Sequence, residues 1–120
     1  MLSLLLTFTH FFAIINMTPF QEKVLLLVKK IPKGKVSTYG EIARILKTSP
    51  RAVGNALHKN PHPIKIPCHR VVKADGSLGG YAGGIRKKAE LLGEEGIEVR
   101  KNKINNFAQV IYRFNKRMNK

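Results

Sequence analysis

Acidic residues are scarce in this chain. Its 120 residues hold 7 Asp and Glu against 22 Lys and Arg, a formal charge of +15. That imbalance argues for a polyanionic partner, nucleic acid first and an anionic membrane surface second. The charge is unevenly spread. Residues 1–16 carry none, residues 17–99 carry 15 basic and 7 acidic groups, and residues 100–120 carry 7 basic and no acidic groups. Cysteine is as sparse: Cys68 stands alone, which excludes an internal disulfide and suits a reducing cytoplasm. With no second thiol a zinc site is not expected. His58 and His62 stand four apart, but Pro61 and Pro63 break the helix that would align them. Long apolar runs are also missing. Residues 1–15 are apolar but fall short of the roughly 20 residues a spanning helix needs, and they lack the basic start and small-residue end of a secretory signal. A packing arm, a weak membrane anchor and translated sequence ahead of a start at Met17 all remain open. The last is favoured, because Met17-Thr18-Pro19 opens the well-patterned region directly.

From that point the chain reads as short helices. Thr18 and Pro19 look like an N-cap and first-turn proline, with Glu22 near the positive helix end. Phe20, Val24, Leu25, Val28 and Ile31 repeat at helical spacing, so an amphipathic helix is expected over 19–31. Ser37 or Thr38 caps a second helix, and Thr38 to Glu41 fits a capping box. After the turn Lys47-Thr48-Ser49, Pro50 opens a third helix running toward Asn60. Helix, three-residue turn, helix in a basic chain is a helix-turn-helix pattern, although plain helical hairpins share it. Ala52, Gly54 and Ala56 strip bulk from the third helix. Tight helix packing or close approach to a narrow surface such as a DNA minor groove would each explain that, with Arg51 as a long basic probe.

Residues 60–63 form a proline-rigid loop, and 64–68 an extended stretch leading to a short strand at 71–73. Asp75-Gly76 marks a turn. The glycine-rich loop 79–84 lacks the Lys-Ser/Thr of a phosphate loop, and wrapping a flat ligand with backbone N–H groups suits it better. Ile85, Ala89, Leu91 and Leu92 mark a last core helix to about Glu95, ended by Gly96. An edge strand at 97–99 and a basic tail at 100–120, either an amphipathic helix or disordered, complete the reading.

The chemistry concentrates in Pro67-Cys68-His69-Arg70-Val71. A thiolate is the nucleophilic form of cysteine, and a neighbouring imidazole or cation favours it near neutral pH. His69 and Arg70 supply both beside Cys68.

The stretch RAVGNALHKNPHPIKIPCHRVV, followed by GSLGGYAGG and LLGEEG, resembles the active-site domain of O6-alkylguanine-DNA alkyltransferases, over about Thr18 to Val99. The resemblance implies a mostly helical fold with a small β element, a winged-helix-like helix-turn-helix that enters the minor groove and flips the damaged nucleotide out. It implies Cys68 as acceptor thiol, His69 taking its proton through a water, Glu95 orienting that imidazole and Asn60 bonding within the network. Tyr39 would help extrude the base and protonate the guanine, and Arg51 would fill the vacated stack. Ser49, Ala52, Gly54 and Arg70 join Arg51 at the DNA surface. Backbone groups of Val71, Tyr81 and Ala82 would read the flipped base, with Gly83 in the same pocket, while Lys88 would support the thiolate's surroundings.

The expected division is an apolar extension at 1–17, a DNA-binding and active-site domain at 18–99 and a basic tail at 100–120. No metal and no cofactor are expected. The partner is double-stranded DNA with alkylated guanine, met by a monomer in the cytoplasm, on the nucleoid when bound. Two departures stand out. The family's common N-terminal domain is not represented, and Ala82 replaces a frequent serine. Single-domain alkyltransferase-like proteins of similar length bind alkylated DNA without repairing it, but they carry another residue in place of the thiol. A lesion sensor, or a helix-turn-helix regulator with a structural Cys68, is the alternative reading.

Overall fold

A computed structural model describes residues 18–59 and 65–115. The extension 1–17, the loop 60–64 with the site candidate Asn60, and residues 116–120 lie outside the described residues. In chain order come α1 (Pro19–Lys29), β1 (Ser37–Thr38), α2 (Tyr39–Leu46) and α3 (Pro50–His58). One 3-10 turn (Cys68–Arg70) leads into β2 (Val71–Val72). Then follow α4 (Ile85–Glu94), β3 (Val99–Arg100), β4 (Lys103–Ile104) and the single turn α5 (Phe107–Val110). The fold is mostly helical with two small sheets, as the sequence implies.

Local chemistry sets the helix starts. Thr18 Oγ1 accepts from the Gln21 N–H at 3.1 Å while Gln21 Oε1 accepts from the Thr18 N–H at 2.9 Å, a complete capping box at α1. Thr38 Oγ1 likewise accepts from the Glu41 N–H at 2.9 Å. The reciprocal half expected of Glu41 is replaced: Arg44 Nε donates to its Oε1 at 2.7 Å. A guanidinium one turn on binds a carboxylate more strongly than a neutral amide does. Ser49 caps α3 through the Ala52 N–H at 3.1 Å. Lys47, at φ 56, closes α2 in the left-handed conformation and turns the chain into α3.

The two strand pairs differ in kind. β1 and β2 run parallel, Ser37 opposite Val71 and Thr38 opposite Val72. Parallel neighbours need a long crossover, and here α2 and α3 lie within it. Because side chains alternate across a strand, Val71 joins a core with Val28, Ile42 and Val53, while Val72 joins a second core with Val36, Leu78, Leu92 and Ile97. The sheet is the wall between them. Ile85, expected in the core, is instead 46% exposed in the first turn of α4.

The stretch from residue 100 departs from both expected forms over its described part. β3 and β4 pair antiparallel around Lys101 and Asn102, both at positive φ (49 and 66). Ile111 bridges Val36 in parallel, with the Tyr112 N–H donating to the Val36 carbonyl at 2.6 Å and the Val36 N–H to the Val110 carbonyl at 2.9 Å. Phe114, 4% exposed, enters the first core, and its carbonyl accepts from Arg44 Nη2 at 3.1 Å. Apolar burial and a borrowed backbone edge therefore outweigh the basic character of this segment. Phe114→Ala should lower the unfolding free energy by about 3 kcal/mol, the usual cost of deleting a core phenyl ring. Urea denaturation measures it, and a change within 0.5 kcal/mol would place that ring outside the cooperative core.

Candidate active site

Cys68 is positioned by its backbone. Pro67 (φ −78, ψ 65) forms an inverse γ-turn in which the Cys68 N–H donates to the Ile66 carbonyl at 2.7 Å. The Arg70 N–H then donates to the Pro67 carbonyl at 2.9 Å, and the Val71 N–H closes the 3-10 turn on the Cys68 carbonyl. The extended approach expected up to Cys68 is thus tightly wound at its end, because proline's fixed φ suits this turn. The residue is 8% exposed and lines a cleft of about 600 Å³.

The cleft opens between α3 and the glycine loop. Tyr39, Arg51, Gly54, Tyr81 and Ala82 line it with Cys68, residues to which the resemblance assigns separate catalytic, DNA-facing and base-bordering roles. Asn55, His58 and Lys73 also line it and were not anticipated. Arg51, Gly54, Asn55 and His58 share one helical face at i, i+3, i+4 and i+7, a spacing that could have found them. Ser49 and Ala52 lie at the start of α3 outside the cleft lining. A Cβ on Gly54 would meet the Tyr39 ring at 4.0 Å, an ordinary contact. Packing within the protein therefore does not require glycine there. At Gly79 (φ +72) it does: a Cβ would press on Tyr39 at 3.2 Å. A Cβ on Gly83 would stand 3.0 Å from the Tyr81 ring.

Behind the thiol lies a charged relay. His69 Nε2 and Glu95 Oε2 are 3.0 Å apart. Arg70 grips the same carboxylate with Nε on Oε1 at 2.9 Å and Nη2 on Oε2 at 2.7 Å, and its Nη1 donates to the Ile31 carbonyl at 2.7 Å. Arg70 was expected at the DNA surface. Its side chain is only 15% exposed and turned inward, because a partly buried carboxylate takes a two-pronged guanidinium. Burial would raise the Glu95 carboxyl, but hydrogen bonds from Arg70 and His69 outweigh it and hold the group below its ordinary value. Glu95 is thus an anion that accepts the Nε2 proton. Burial lowers the His69 value, against the pull of Glu95, so the ring is neutral at pH 7. A neutral ring with its proton on Nε2 has a lone pair on Nδ1, and that buried atom has no hydrogen-bond partner among the described residues.

Lys88 holds the opposite wall. Its side chain is fully buried, and Nζ donates to the carbonyls of Val71 at 2.7 Å, Gly80 at 3.1 Å and Leu78. It also stands 5.8 Å from the centre of the Tyr39 ring. Burial pushes Lys88 down to about 8, with the Cys68 thiolate pulling it partly back. Val71 is fully buried, its N–H donating to the Cys68 carbonyl and its carbonyl accepting from Lys88 with a second lone pair left over. Tyr39 Oη lies 3.5 Å from the Gly80 carbonyl, and burial raises the phenols of Tyr39 and Tyr81, the Cys68 charge adding to both. Both tyrosines therefore keep their protons at neutral pH. No group of three or more metal-ligating side chains occurs among the described residues, nor is any described helix long and apolar enough to cross a membrane.

A family model described as the DNA-binding domain of 6-O-methylguanine DNA methyltransferase matches residues 19–97. A methylated-DNA–protein-cysteine methyltransferase of Methanocaldococcus vulcanius is 57% identical over 86 residues, 72% of this chain and 53% of that protein. The crystal structure of the O6-methylguanine-DNA methyltransferase from Pyrococcus kodakaraensis superposes with TM-score 0.63 at 52% identity, covering 67% of this chain and 47% of that one. S. pombe Atl1, solved in complex with damaged DNA containing O6-carboxymethylguanine, gives TM-score 0.71 at 32% identity, covering 82% of this chain and 99% of Atl1. The chain spans about half the length of the curated relatives it matches. With its match over 19–97 and its thiol, relay and glycine loop inside that span, the chain belongs to the O6-methylguanine-DNA methyltransferase family.

Proposed function

We propose that this protein is a stoichiometric DNA-repair acceptor that moves an alkyl group from guanine O6 in duplex DNA to Cys68. The observation that carries the reading is Cys68 at a cleft of about 600 Å³ between a slender helix and a glycine loop, with an anion-backed imidazole next to it in sequence. Residues 18–99 would act as the DNA-binding and active-site unit, a winged-helix-like domain serving as a monomer in the cytoplasm, on the nucleoid when bound.

The bonds balance as follows. The Cys68 proton passes to His69 Nδ1 through a water, and Glu95 stabilises the resulting imidazolium. The thiolate attacks the alkyl carbon, so a sulfur–carbon bond forms as the carbon–O6 bond breaks. The departing guanine takes a proton from Tyr39, and that proton is restored from His69. A thioether has no easy leaving route, so each molecule acts once. Reaching a base inside a duplex requires extrusion at a cost of a few kcal/mol. Arg51, exposed at the start of α3, would fill the gap, Ala82 and Tyr81 would border the base, and Asn60 would hydrogen-bond within the network. A lesion-binding protein without transfer is the second reading, favoured by the near-complete coverage of Atl1.

Incubation with a methylated duplex should add one methyl to the Cys68 peptide by mass spectrometry, and tight binding with Cys68 unmodified would select the second reading. Arg51→Ala should slow transfer from duplex with the unfolding temperature unchanged; loss of the fold would remove its role as a finger. Gly54→Ala should raise stability by about 0.5–1 kcal/mol, since glycine is poor in helices, yet weaken duplex binding, because the added methyl faces the cleft. Binding at full strength would sink the close-approach reading of α3. His69 sets the pH profile. Its value lies below 6.5, so single-turnover transfer should fall only as acidification passes below the range of a free imidazole. The same sign holds for stability: the unfolded chain takes up the His69 proton first, so stability present above pH 6.5 is lost as pH drops through the folded value. A profile that falls from pH 7.5 downward would reject a neutral His69 as the base.

A further inference from the structure

We propose that the β3–β4 hairpin is a second DNA-contacting element, its tip seating on a backbone phosphate of the duplex beside the cleft. The inference rests on the DNA reading above and concerns residues beyond the 19–97 match. Hydrogen bonds fix the hairpin against the segment that runs into the cleft. The Leu78 N–H donates to the Asn102 carbonyl at 3.1 Å, the Ile104 N–H donates to the Gly76 carbonyl at 2.8 Å, and Ser77 bridges Lys103. The chain that leaves Leu78 becomes Gly79 and Gly80 of the cleft within two residues. Lys73, whose N–H donates to the Ser77 carbonyl at 2.9 Å, lines the cleft on the other limb of the same turn. The hairpin is therefore one strand spacing, about 5 Å, from the segment that enters the site.

Charge selects the partner. Lys101 and Lys103 are exposed, with Lys73 beyond them. Glu98 does not neutralise the tip: its carboxylate is held by Arg100 Nε at 2.6 Å and Asn105 Nδ2 at 3.1 Å. Asp75 faces Lys103 and offsets part of its charge, but it is also held by the Ser77 N–H and hydroxyl. Lys101 has no such counter-ion among the described residues. The backbone adds an independent sign. The turn places Lys101 at φ 49 and Asn102 at φ 66, the geometry of a two-residue hairpin that glycine and asparagine favour. Lysine enters that region only against its own preference, and backbone strain of this kind gathers at functional positions. B-form DNA presents one negative charge per roughly 1.7 Å of axis, so a duplex with one base in the cleft carries phosphates past the segments that flank it.

The test compares the full-length protein with Lys101→Asn/Lys103→Gln and with a control, Lys29→Gln/Lys30→Gln, which removes the same charge from the end of α1. Binding to a fluorescent methylated duplex is followed over a salt series. The hairpin variant should bind about tenfold more weakly at 0.1 M salt, with a log–log salt slope shallower by about 1 to 2, as expected for one or two lost phosphate contacts. Thermal unfolding should match wild type, because Asn suits the left-handed position. A hairpin variant with the wild-type slope overturns the proposal while leaving the cleft reading intact, as does an equal change in the control. Wild-type protein that shows no preference for the methylated duplex and no mass shift at Cys68 overturns both.

Discussion

A buried ammonium is the constraint on which the site depends. Lys88 lies fully inside the protein, where an unpaired charge would cost several kcal/mol. Its three donors point at the carbonyls of Val71, Leu78 and Gly80. These carbonyls belong to the strand that follows Cys68, to the second core and to the glycine loop. One side chain thus ties together three segments that have no continuous ladder of their own. The glycines of the loop would otherwise give it wide conformational freedom. Held at Gly80, the loop keeps Tyr81 and Ala82 at the cleft rim, and the charge that holds them lies close enough to interact with the sulfur and with Tyr39.

The opposite wall works by a different principle. Arg70 joins Glu95 to the end of α1 through Ile31, so the carboxylate that orients His69 is itself oriented. Relay and loop meet at the 3-10 turn, where the N–H groups of Cys68, Arg70 and Val71 each reach back only two or three residues. Cys68 therefore owes its place to short-range geometry, and its surroundings to side chains from α3, α4 and the loop between β2 and α4.

What the sequence made legible follows the range of the interaction. Caps at Thr18 and Thr38, the turn at Lys47 and the end of α4 at Gly96 are written within a few residues, and these elements fell where expected. The relay was half legible. His69 adjoins Cys68, but its meeting with Glu95 came from family resemblance, since nothing local links positions 26 residues apart. Arg70 was misplaced for the same reason: a charge can be read from sequence, but not the direction in which it turns. The segment after residue 100 was least legible. Phe107, Ile111 and Phe114 sit among Lys, Arg and Asn with no clear period, and their partners, Gly76, Val36 and the α1–α3 core, lie far back in the chain.

The parallel pairing of β1 with β2 carries an implication for how the molecule assembles. These strands flank α2 and α3, so they can zip only after both helices have collapsed and the intervening loop has closed. Tyr39 follows one strand and Cys68 precedes the other. A nascent chain would therefore have α2 and α3 before the cleft around Cys68 is complete. The sulfur gains its environment only with that non-local closure.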